Sequence, residues 1–187
     1  ATAEGNYKSF YPIGFPDVRI IGTSSPDIYS DEVEGILKGG RAIGKSGTGL
    51  DILALFSGGA DGAFGAGIIN GWTASGKRPK FDIVTGVSTG SLIAPFAFLG
   101  PEYDANITRL YTETSTRDLV QAKFFSGIVN GQSLFNTKRL RDVIKRELTD
   151  DMIDRIGDEY LTGRRLSVGT THLDAAEPVI WNIGNIA

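Results

Sequence analysis

Apolar and polar positions change their period several times along the 187 residues, and each change marks an element. DILALF, Asp51 to Phe56, is a short apolar run bounded by glycines and predicts a buried strand. SGGADGAFGAG follows, after which IINGWTAS predicts a helix ending near Gly76. FDIVTG predicts a second strand, and SLIAPFAFL an apolar helix beginning near Ser88. Helical spacing returns at Tyr103, Ile107, Leu110 and Tyr111, in a segment running to Thr114. It recurs in NTKRLRDVIKREL, where Leu140, Val143, Ile144 and Leu148 share one side. MIDRIGDEY adds another helix. RRLSVGTTHLD and PVIWNI read as two strands joined by a turn at Asp174 to Pro178.

Upstream the pattern is weaker. Ala1 to Ser30, rich in aromatics, Pro and Ser, reads as an irregular arm packed on the body. Ser30 is placed to cap a short helix reaching Leu37 or Lys38, with Gly39 and Gly40 ending it. No repeat or linker divides the chain, so one domain over residues 1–187 is expected. Strands alternating with helices predict an α/β fold, a parallel-rich sheet with helices on both faces.

Composition narrows the chemistry. The net charge is −3, and the basic pairs Lys138–Arg139 and Arg164–Arg165 stand isolated, as solvated faces would. No nucleic-acid partner is expected, since that needs clustered positive charge. There is no cysteine, which excludes disulfides, thiolate catalysis and Cys-based metal sites. With a single histidine as well, no metal site and no cofactor are expected. The apolar run at Ile93 to Leu99 is too short to span a bilayer and contains Pro95. No compartment follows from the sequence.

Glycine is the outlier, at 25 residues, many of them punctuating the apolar segments between Gly39 and Gly100. One cluster is a decoy. GGRAIGKS, Gly39 to Ser46, fits the phosphate-loop pattern G-x-x-x-x-G-K-[ST]. That pattern needs a strand before it and a helix after it, and here the order is reversed. A flexible connector is expected, and no nucleotide. The loop from Ser57 to Gly67 lacks the strict G-x-G-x-x-G spacing of dinucleotide-binding turns.

Gly86-Val87-Ser88-Thr89-Gly90 matches G-x-S-x-G between an apolar strand and an apolar helix. A strand-to-helix turn this sharp lifts Ser88 out of the sheet into a strained backbone conformation. Gly86 and Gly90 clear space for its hydroxyl. The bland alternative makes Ser88 an ordinary helix cap. A second loop, Ser57-Gly58-Gly59-Ala60-Asp61-Gly62, follows the first strand. If the two strands are neighbours, both loops open at one carboxyl edge, where α/β proteins place their sites. Main-chain amides of Gly58, Gly59, Ala60 and Asp61 then face an oxyanion formed at Ser88.

LALFSGGADGAFGAG followed by FDIVTGVSTGSL resembles the patatin-like phospholipase family. LSVGTTHLDAAEPVIW resembles the family's strand-turn-strand segment more loosely. The resemblance implies a three-layer α/β sandwich and a lipid acyl hydrolase working through a Ser–Asp dyad. Its substrate is a lipid or other acyl ester, reached through possible peripheral membrane contact. Ser88 matches the nucleophile, and Gly58, Gly59, Ala60 and Asp61 match the oxyanion loop. His172 is then not the base, and Asp174 is a turn former.

Two departures qualify the resemblance. Ser57 and Asp61 stand where the family has a glycine and a basic residue. The family's catalytic aspartate lies in Asp-Gly-Gly or Asp-Gly-Ala downstream, and the only match here is Asp61-Gly62-Ala63 in the loop itself. The base, with the C-terminal part of the domain, is therefore expected beyond Ala187. A catalytically impaired lipid- or partner-binding module is the alternative. In either case Phe96, Phe98, Phe124 and Phe125 are divided between core packing and an acyl pocket.

Overall fold

The computed structural model describes residues 18–21, 34, 49–112, 137–172 and 176–187. Five strands form one sheet: β1 (Arg19–Ile21), β2 (Ile52–Leu55), β3 (Ile83–Val87), β4 (Arg165–His172) and β5 (Glu177–Asn182). Their order is β1-β5-β4-β3-β2. β2, β3 and β4 run parallel, in a register that pairs Leu55 with Gly86 and Val87 with Gly169. β5 is antiparallel to β4, and β1 to β5. The sheet is thus mixed with a parallel core. The two strands that carry the glycine loops are neighbours, the condition for both loops to open at one edge.

Six α-helices are described: α1 (Gly62–Ala74), α2 (Thr89–Leu99), α3 (Asp104–Thr112), α4 (Thr137–Glu147), α5 (Asp150–Leu161) and α6 (Ile183–Ile186). β2-α1-β3 and β3-α2-β4 are successive parallel crossovers progressing in one direction across the sheet. Right-handed crossovers of this kind place their helices on one common face. That face carries Val84 and Leu166, both fully buried, against Ile69, Ile93, Phe98 and Ile107. α2 is apolar all round, as a helix enclosed on every side must be. Nine of its eleven residues are buried, and it runs through Pro95 without ending.

Two expectations change. Arg19–Ile21, within the segment read as an irregular arm, is an edge strand on β5. Arg164 is no solvated charge: it is 2% exposed. Its guanidinium donates to Phe81 O at 2.7 Å and Phe98 O at 2.5 Å, pairs with Glu159 at 3.0 Å and stacks on the Phe98 ring. A charge this deep is tolerated because two carbonyls accept from its Nε and Nη2 and its partner is charged. Arg164 thereby ties the start of β3 to the end of α2. The helix read from Ser30, the decoy loop at 39–46, Asp174, Phe124 and Phe125 lie outside the described residues, apart from a helical Glu34.

α4 is pinned to α3 through Glu147, which is buried. Arg146 Nε donates to it at 2.8 Å, Arg109 Nη2 at 3.2 Å and Asn106 Nδ2 at 3.3 Å. Burial alone would raise its carboxyl pKa, but the bonds from Arg146 and Arg109 outweigh that and hold it below the ordinary carboxylate value. A depressed folded pKa gives stability that is present above the unfolded value, about 4.3, and lost as pH falls through the folded one. Glu147→Gln is expected to lower the urea midpoint at neutral pH, with the gap to wild type closing in acid. Paired urea melts across pH 3 to 7 check this; a gap independent of pH contradicts it.

Candidate active site

Two sharp turns meet at the carboxyl edge of the parallel strands. β2 leads through Phe56, Ser57 and Gly58 into a 3₁₀ turn, Gly59–Asp61, which heads α1. β3 leads directly into α2 through Ser88.

Ser88 sits at φ 54° and ψ −121°, with a positive φ that among the described residues only Ala176 shares outside glycine. Side chains rarely tolerate this region, and strain there costs on the order of 1–3 kcal/mol. The turn is held by its follower: Ser91 N–H donates to Ser88 O at 3.0 Å, and Ser91 Oγ donates to the same oxygen. Ser88 is partly exposed, and no described residue takes a hydrogen bond from its hydroxyl.

Gly86 and Gly90 make the turn possible by close approach. A Cβ on Gly86 would lie 2.7 Å from Gly90 O and from Ser91 Cα, inside the start of α2. A Cβ on Gly90 would strike the Leu55 carbonyl of β2. The second contact matters most, because it lets the base of α2 press against the strand that carries the other loop.

The loops are also bonded to one another. Gly58 N–H donates to Thr89 Oγ1 at 3.2 Å, across 31 residues of chain. Asp61 N–H donates to Gly58 O at 2.9 Å, closing the 3₁₀ turn. The four amides expected to face the oxyanion therefore divide. Those of Gly58 and Asp61 are engaged in shaping the loop. That of Gly59, at φ 55°, has no acceptor among the described residues, as the first donors of a helix commonly lack one, and Ala60 follows it in the turn. The Asp61 side chain is exposed and caps nothing.

Beneath the loop, Gly62, Thr89 and Tyr111 converge. A Cβ on Gly62 would lie 3.1 Å from Thr89 Cβ and from Tyr111 Cζ, and would meet the Tyr111 hydroxyl. That hydroxyl is buried without a hydrogen-bond partner, and burial pushes its pKa up to about 12. Neither Thr89 nor Tyr111 stood out in the sequence. Thr89 occupies a variable slot of G-x-S-x-G, and Tyr111 reads only as one more apolar position of a helix.

Around the turns the surface is apolar. A groove of about 370 Å3 runs from Gly58 and Asp61 between β2 and α1, over Leu53, Leu55 and Ile69. Phe56, Phe64 and Ile68 line its mouth and are strongly exposed. α1 carries no charged residue. A second cavity, of about 230 Å3, lies beside α2 between Ser91, Phe96, Ile144 and Val168. Phe96 thus belongs to both core and cavity wall, while Phe98 belongs to the core alone.

His172 ends β4 opposite Glu177. It stands three residues beyond Gly169, the partner of Val87, or roughly 10 Å further along the strand. Among the described residues no group of His, Asp and Glu side chains has the makings of a metal site.

The family model of patatin-like phospholipases matches residues 53–178, more than half of the chain and inclusive of both turns. The chain belongs to the patatin-like phospholipase family. Searches of curated proteins and of solved structures return no match. Membership places the protein among lipid acyl hydrolases, and its mixed sheet with a parallel core fits the family's three-layer sandwich. No described helix is long and apolar enough to cross a membrane.

Proposed function

We propose that this patatin-like protein is a serine hydrolase of lipid acyl esters, with Ser88 as nucleophile. The observation that carries this reading is the backbone of Ser88, held at positive φ on a strand-to-helix turn beside a glycine loop. A mere helix cap needs no such strain, whereas an exposed nucleophile does.

Ser88 Oγ attacks the ester carbonyl and passes its proton to an aspartate carboxylate supplied from outside the described residues. The oxygen that becomes negative is held by the N–H groups of Gly59 and Ala60, with Gly58 and Asp61 fixing the loop. The positive ends of α1 and α2 favour the same charge. As the intermediate collapses, the protonated aspartate returns its proton to the leaving alcohol. Water, deprotonated by the same carboxylate, then frees the acyl group as a fatty acid and restores Ser88. The apolar groove that starts at Gly58 supports a hydrocarbon substituent on the carbonyl. The exposed rim of Phe56, Phe64 and Ile68 supports peripheral contact with a lipid surface.

Full-length protein incubated with phospholipid vesicles is expected to release free fatty acid. His172→Ala is expected to keep that rate within about twofold, because a Ser–Asp dyad has no histidine step. A loss of about a hundredfold or more in His172→Ala would make His172 the base instead. Vesicle binding without release would favour the non-catalytic module, a reading motivated by Asp61 in the loop.

A further inference from the structure

Resting on that reading, we infer that Tyr111 is a positioning residue of the oxyanion loop. It acts from α3 through Gly62 and Thr89 and does not touch the substrate. Three observations converge. The point where Gly62 would carry a Cβ is occupied by the Tyr111 hydroxyl and closed in by Thr89. Thr89 Oγ1 is the acceptor that anchors Gly58 N–H, so the same two side chains support the loop from below and from its base. The Tyr111 hydroxyl is buried and unpartnered, and a phenylalanine would fill the same space without a polar group to desolvate. Leaving such a group unpaired is costly, so its retention calls for a state in which it is paired.

The geometry supplies one. The Gly58–Thr89 bond, at 3.2 Å, is at the long end of the range for an amide donor, which leaves the loop room to close. When negative charge grows on an oxygen held by Gly59 and Ala60, the loop is drawn onto it. Gly58 N–H then shortens its bond to Thr89 Oγ1, and the Thr89 O–H becomes a stronger donor in turn. The Tyr111 hydroxyl oxygen, buried beside the same glycine and without a partner, is the acceptor for that O–H. The hydroxyl thus contributes nothing to the resting fold and something to the charged state.

This separates it from an ordinary packing residue in a measurable way. In the full-length protein, Tyr111→Phe is expected to lower kcat for a soluble acyl ester about tenfold, with KM unchanged and Tm equal to or above wild type. Gly62→Ala is expected to lose activity because its methyl meets the hydroxyl. Adding Tyr111→Phe to that variant is expected to recover part of the loss. A Tyr111→Phe protein with kcat within about twofold of wild type overturns the inference alone, provided wild type turns over. So does a parallel fall of kcat and Tm, which marks a packing role, and so does a double variant no better than Gly62→Ala. A folded wild type with neither turnover nor Ser88-dependent labelling overturns this inference together with the function on which it rests.

Discussion

Replacing Ser88 by alanine is expected to cut ester turnover by about 10⁴-fold or more while leaving the fold intact. The serine hydroxyl makes no hydrogen bond to any described residue, so its removal breaks no contact of the folded state. Glycine at the same position separates activity from stability more sharply. At φ 54° and ψ −121° any side chain is strained, and glycine is not. Relief of about 1–3 kcal/mol is partly offset by roughly 0.5–1 kcal/mol of extra unfolded-chain entropy. Ser88→Gly is therefore expected to be inactive yet about 1 kcal/mol more stable than Ser88→Ala. Thermal or urea unfolding of the two variants decides it. An alanine variant as stable as the glycine one would mean that the turn is unstrained, and the chief argument for a nucleophile would fail.

Gly90→Ala is expected to have the largest effect on stability. Its added methyl would strike the Leu55 carbonyl, a main-chain atom that moves only if β2 is pushed away from β3. Overpacking against fixed backbone costs about 3 kcal/mol or more, and the glycine loop carried by β2 would be displaced with the strand. Activity and cooperativity of unfolding should both suffer. Gly67→Ala is the control, since nothing lies within 4 Å of a Cβ there and the site is inside α1. It is expected to stabilise by about 0.5–1 kcal/mol, as alanine does in place of a helix-interior glycine. A Gly90→Ala protein as stable as Gly67→Ala would refute the close approach of α2 to β2.

The contrast shows which parts of the site a sequence can display. DILALF does form a strand, but not the buried one expected: β2 is the edge of the described sheet, and none of its residues is buried. FDIVTG announces a strand because buried parallel strands are continuous apolar runs, and the glycines between elements announce close turns. The Ser88 turn was therefore legible, down to why Gly86 and Gly90 lack side chains. The division of labour among the loop amides was not. Whether Gly58 N–H faces a substrate or Thr89 depends on a hydroxyl 31 residues away, which no local pattern encodes. Tyr111 was hidden for the same reason, its helical spacing marking it only as core. Arg164 misled because charge pairs are usually solvated. Its burial follows from two carbonyls, Phe81 O and Phe98 O, that come together only in the folded sheet. The length of α1 was also understated: its first six residues, Gly62 to Gly67, are all glycine and alanine but for Phe64, and tertiary contact with α2 and α3 makes them helical.

A fluorophosphonate probe with a short alkyl arm, applied to the folded full-length protein and followed by peptide mass mapping, addresses the nucleophile directly. A single adduct on Ser88, absent from Ser88→Ala, is the expected result. An adduct on Ser57 or Ser91 instead, or labelling of Ser88→Ala equal to wild type, would contradict the assignment of Ser88 at the glycine turn.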